Sequence, residues 1–132
     1  MELGLKNITK EKALYNFWSS FGLPAFEENA VPTGSEAPDY PYITYQVITD
    51  NFGNEIALAA SVWYRSPSWV ECNAKTEEIG TSIGRGGKML HCDEGAIWIK
   101  RGSPFAQSLG DEVDDMIRRK LLNLSVEFMT EN

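Results

Sequence analysis

Positive charge, sulfur and histidine are all scarce in this 132-residue chain. Twelve Lys and Arg stand against nineteen Asp and Glu, a net charge of −7. Duplex DNA affinity comes largely from Lys and Arg displacing counterions, so this balance argues against a tight DNA binder. The imbalance is uneven: residues 1–84 hold 5 basic and 11 acidic side chains, residues 85–120 hold 7 and 6, and residues 121–132 hold none and 2. Two cysteines, Cys72 and Cys92, are too few for a disulfide framework and read as buried reduced thiols. No apolar run approaches the roughly 18–20 residues of a membrane span. The opening MELGLKNITKEK lacks the apolar centre of a signal peptide, so a cytosolic, unexported protein is expected. With 42% hydrophobic and 23% charged residues, the composition is that of an ordinary globular chain. The length fits one domain with a real core, residues 1–132.

What the sequence does have is a long hairpin pattern from Tyr40 to Ser66. Tyr42–Thr49 alternates Ile43, Tyr45 and Val47 against Tyr42, Thr44, Gln46 and Ile48. Ile56–Arg65 alternates Ile56, Leu58, Ala60, Val62 and Tyr64 against Ala57, Ala59, Ser61, Trp63 and Arg65. Side chains alternate faces along a strand, so each strand has one apolar side and one mixed side. The turn falls on Asp50-Asn51-Phe52-Gly53-Asn54, where Gly and Asn tolerate positive φ.

Around this hairpin the chain reads in order. Thr9 caps a helix over Lys10–Phe21, with Leu14, Phe17, Trp18 and Phe21 on one stripe and Gly22 and Pro24 at its end. Leu23–Asp39 holds three prolines and four acids with no period, so a long acidic loop is expected. Ser68 and Glu71 have the spacing of a capping box. Trp69, Cys72, Thr76, Ile79 and Ile83 follow at helical spacing to Gly84, with Gly80 a weak point inside the helix. Lys88–Cys92 and Gly95–Arg101 read as a second hairpin, Gly102–Gly110 as a connecting loop, and about Ile117 to Met129 as a final strand. Asp111–Lys120 fits either helix or strand. The expected fold is α+β: an antiparallel sheet of about five strands with two helices packed on one face.

No stretch announces a chemistry. Gly84-Arg85-Gly86-Gly87-Lys88 resembles a phosphate loop, but Met89 follows where a hydroxyl is needed, and the glycines follow a helix instead of a strand. A glycine-rich turn accounts for the run. His91 and Cys92 are strand neighbours and point to opposite faces. A Cys72–His91 nucleophile pair stays open, without a third group to orient it. Metal-ligand spacings are absent, and no cofactor is expected. Asp111, Glu112, Asp114 and Asp115 read as a solvated acidic turn, with Arg118-Arg119-Lys120 placed to pair with it. Trp63 and Trp98 fall on the mixed faces of their strands, where aromatics suit either a core or the centre of an interface.

Taken together, the N-terminal helix, the proline-bearing loop, Pro41–Gln46 (PYITYQ) opening the first strand, and Arg118–Phe128 (RRKLLNLSVEF) in a long last strand form a pattern. It resembles the tail terminator (tail-completion, head–tail joining) proteins of long-tailed bacteriophages and prophages. The resemblance implies a non-enzymatic structural protein without catalytic residues. It implies a self-assembled ring, usually a hexamer, that caps the tail tube and presents the head-docking surface. Implied partners are the tail-tube protein and a head-completion or connector protein, with DNA only as passing cargo. The implied location is the host cytoplasm during assembly and then the virion. Acidic side chains lining the bore would repel DNA phosphates.

Two alternatives stand beside this reading. One is another phage neck or head–tail connector protein. The other is a small ligand-binding domain or enzyme using Cys72 and His91 or the glycine turn. The candidate interface residues are Trp63, Arg65 and Trp98 for a neighbouring subunit. Glu27 and Glu28 of the acidic loop, with Asp50, Asn51 and Phe52 of the turn, are expected to touch tail or head.

Overall fold

The last strand organises the molecule. A computed structural model describes residues 8–49 and 53–131. In it β6 (Ile117–Thr130) buries Leu122, Leu124, Val126, Phe128 and Thr130 in strict alternation, as its period-two pattern requires. β6 pairs antiparallel with β3 (Ile56–Arg65) on one side and β5 (Gly95–Leu109) on the other. β2 (Tyr42–Tyr45) extends the sheet beyond β3, and β4 (Lys88–Cys92) extends it beyond β5. A sixth strand, β1 (Ala25–Glu27), completes the order β1-β2-β3-β6-β5-β4.

The α+β class holds, and the strand count rises to six. Strand β1 lies inside the stretch expected to be loop, and it pairs parallel to β2, so the sheet is mixed and not purely antiparallel. Two short 3-10 turns, Glu28–Ala30 and Gly34–Glu36, occupy the rest of that segment. β2 stops at Tyr45 instead of Thr49. The Ala59 amide, which would continue the ladder, donates to the Gln46 side-chain oxygen at 2.9 Å. Asp50, Asn51 and Phe52 lie outside the described residues. The expected loop at Gly102–Gly110 is mostly strand. β5 resumes pairing with β6 at Ala106 after an irregularity that begins at Arg101 and contains Pro104, which has no amide to give the ladder.

Both helices pack on one face. α1 (Lys10–Ser19) is capped as expected, the Lys12 amide donating to Thr9 Oγ1 at 3.0 Å. Its stripe of Leu14, Phe17 and Trp18 is buried, with Trp18 stacked on Tyr45 at 6.1 Å between ring centroids. The helix ends two residues early, because the Ser20 amide and hydroxyl both turn back to Phe17 O. Phe21 stays buried beyond the helix end. α1 touches both edge strands, β1 and β4, and so bridges the two margins of the curled sheet. α2 (Val70–Ile83) packs across β3, β5 and β6 and buries Cys72, Thr76, Ile79 and Ile83. The capping box does not form. Trp69 is the cap residue, one position later than expected, and Ser68 Oγ accepts from the Val70 amide. α2 also runs unbroken through Gly80, where a Cβ would sit 3.1 Å from the Phe105 ring of β5, so glycine permits close packing there.

Gly95 opens β5 with φ of +147°, and a Cβ there would collide with the backbone oxygen of Met129. Gly95→Ala is therefore expected to cost on the order of 2–4 kcal/mol by urea unfolding. Gly110→Ala, which meets open space, should stay within about 0.5 kcal/mol. Equal losses at the two positions would contradict the packing described.

Candidate functional site

Among the described residues, no helix covers the opposite face of the sheet. The core cluster takes Leu58, Ala60 and Val62 from β3 and Leu122, Leu124 and Val126 from β6. Alternation sends their neighbours the other way, and register lines them up. Tyr42 lies opposite Trp63, Trp63 opposite Arg119, and Arg119 opposite Leu109, one row across four strands. Tyr42 stacks on Trp63 with 6.0 Å between centroids and 16° between planes. The Arg119 guanidinium sits 4.6 Å from the Trp63 ring and donates from Nε to Ser61 Oγ at 3.0 Å. Trp63 Nε1 donates to Thr44 Oγ1 at 2.9 Å. Phe26 meets Tyr42 edge-on, and Tyr40 leans on Tyr42 at 5.3 Å. Burial, with Tyr40 beside it, raises the Tyr42 hydroxyl above its ordinary pKa. Aromatic pairs of this kind contribute about 0.5–1.5 kcal/mol each. The row is therefore held in place by contacts within the chain. A recess of about 140 Å³ opens beside it, lined by Glu28, Thr44, Gln46, Ser61, Arg119 and Leu121 among others.

Apart from Asp50, Asn51 and Phe52, which lie outside the described residues, each sequence-derived site residue has a place. Trp63 is the centre of the row. Trp98 lies farther across the same face, opposite Met89 of β4 and Glu127 of β6, its Nε1 donating to Gly86 O at 2.9 Å and Lys100 Nζ 4.1 Å from its ring. Glu27 ends β1, and Glu28 is exposed beside the recess. Arg65 is engaged elsewhere: its Nε bonds Asp114 Oδ2 at 2.8 Å and ties the end of β3 to the turn before β6. The expected pairing of Arg118-Arg119-Lys120 with the acidic turn does not occur. Arg118 donates to the carbonyls of Ser66 and Pro67, and Arg119 faces Trp63. Asp111 and Asp114 instead accept amides from their own turn. Sequence reasoning placed Tyr42, Thr44 and Ser61 on mixed strand faces and Arg119 in a basic run, but singled out none of them as a site residue. The parity of the last strand, Arg119 with Leu121 and Asn123, was the signal available for Arg119.

Cys72 and His91, the pair named for the alternative chemistry, lie in different surroundings. Cys72 is fully buried beneath α2, with Sγ 3.7 Å from Val62 O and 3.5 Å from Arg118 O. Burial pushes its thiol up to about 11, away from the thiolate a nucleophile needs. His91 is exposed on β4, by a groove of about 450 Å³ between α1 and β4 to which Cys72 contributes nothing. Among the described residues no group of three or more His, Cys, Asp or Glu could hold a metal ion. No helix among them is long and apolar enough to cross a membrane. Gly84–Gly87 forms the helix-to-strand turn between α2 and β4. Compared with family models, curated proteins and solved structures, the chain finds no match.

Two measurements follow from these surroundings. In native protein at pH 8, Cys72 should be silent to a thiol reagent and react only on unfolding; rapid native labelling of Cys72 would contradict its placement. The hydrogen bond from Arg65, helped by the Met116 amide, holds Asp114 below the usual carboxylate range. A carboxyl whose pKa is lower folded than unfolded stabilises above its unfolded value, near 3.9 in model peptides. That contribution fades as pH falls through the lowered folded value. Wild-type Tm should therefore drop more steeply below about pH 4 than that of Asp114→Asn. Parallel curves would count against the pair.

Proposed function

We propose that this chain is a structural subunit of the phage tail-terminator kind, assembling into a ring that caps a tail tube and offers the head its joining surface. One observation carries the reading: among the described residues, no helix covers the sheet face bearing Tyr42, Trp63, Arg119 and Trp98. Such a face combines aromatic bulk with a polar rim, the composition of interface centres. The two edge strands, β1 and β4, suit a heterologous contact, which closes into a ring when the rotation permits. The tail-tube protein and a head-completion protein are the proposed partners above and below the ring, with DNA passing through it.

Native mass spectrometry and negative-stain microscopy test this, with and without purified tail-tube protein from a long-tailed phage. The expected result is closed rings of about six subunits. Trp63→Ala should weaken assembly by at least about tenfold, the cost of a modest hot spot. A chain that stays monomeric both alone and with tail tubes would refute the proposal.

A further inference from the structure

The sheet is electrically polar along its strand order. No Lys, Arg or His occurs from Ala13 to Tyr64, the stretch that supplies β1, β2 and nearly all of β3. Glu27, Glu28, Glu36 and Asp39 lie there, in β1 and the segment joining it to β2. Glu28, Glu36 and Asp39 are exposed, and none of the four makes an ion pair among the described residues. The opposite margin is basic at the corner where β4 begins, with Asp93 and Glu94 in the turn at its far end. Lys88 opens β4 opposite Ile99, Arg101 lies two residues farther along β5, and Arg85 sits in the turn that leads into β4. Arg101 also approaches Gly80 in the last turns of α2, which places it near the same corner. Arg85, Lys88 and Arg101 are exposed and make no ion pair among the described residues. Other cations are engaged: Arg65 with Asp114, Lys75 with Glu78 and Lys100 with Glu55.

Each margin also carries apolar surface. Tyr40, 36% exposed, lies with Phe26 and Tyr42 at the acidic margin, and Met89, 42% exposed, lies opposite Trp98 at the basic one. An isologous contact made by one margin alone would set acid against acid or base against base. A head-to-tail contact sets unlike margins together, with apolar surface between charged rims.

We infer that the occupant of each margin is a second copy of this chain: the basic β4–β5 margin of one copy docks on the acidic 27–39 margin of the next. This rests on the ring reading above and names its contact. It also moves the acidic loop from the tail or head surface, where the sequence alone put it, to the subunit interface.

Charge exchange tests it. One variant carries Arg85→Glu, Lys88→Glu and Arg101→Glu; the other carries Glu28→Lys, Glu36→Lys and Asp39→Lys. All six positions are exposed, and circular dichroism checks that each variant folds. Alone, each should assemble roughly 100-fold more weakly than wild type, since like charges then face each other. Mixed in equal amounts, each variant meets the margin it complements, and even-numbered rings of alternating subunits should return. Wild-type assembly should also weaken as salt screens the contact. If wild type forms rings and either variant alone assembles equally well, or the mixture fails to recover, this contact is wrong while the ring stands. If wild type forms no ring at any concentration or salt, with or without tail tubes, both are wrong.

Discussion

Alternation along β6 is the constraint on which the rest depends. Its buried residues commit one side of the sheet to α1 and α2, and every strand paired to it inherits that choice through register. A slip of one residue would exchange Leu122, Leu124 and Val126 for Leu121, Asn123 and Ser125, and the core would be lost. The same alternation sends Arg119 outward, opposite Trp63. Core and exposed face are thus two consequences of one pattern.

That division explains the character of the outer face. The chain has only two helices in its described residues, and both are used on the inner side. The outer side is stabilised within its own plane, by Tyr42 on Trp63, Arg119 on Trp63, and hydrogen bonds to Thr44 and Ser61. Interactions of this type hold side chains in register; Thr44 and Ser61 are buried, while Tyr42, Trp63 and Arg119 stay partly in solvent. A face that is ordered in advance loses little conformational entropy when it docks, which favours binding.

Much of this was legible in the sequence, for a physical reason. Ile56–Arg65 and Lys88–Cys92 match their strands end to end, and the last strand ends one residue past its expected limit, because long period-two runs have few other uses. β1 was not legible. Ala25–Glu27 is three residues in a proline-rich stretch, and its parallel pairing to β2 is decided by Pro24 O accepting the Ile43 amide, a tertiary fact. The far half of β5 was hidden by Gly102 and Pro104, which punctuate a loop and an irregular strand alike. In the candidate site, Trp63 and Trp98 could be placed by parity alone. Arg65 could not, since its partner Asp114 is forty-nine positions away and only the fold brings them together.

If the sheet face that no described helix covers is an interface, its tryptophans should report it. Hydroxyl-radical footprinting of the tryptophans, comparing dilute with concentrated protein, reads this directly. Trp63 and Trp98 should become protected as concentration rises, while Trp18, at 1% exposure, stays equally protected throughout. Labelling of Trp63 and Trp98 that does not change between monomer and assembly would contradict the account.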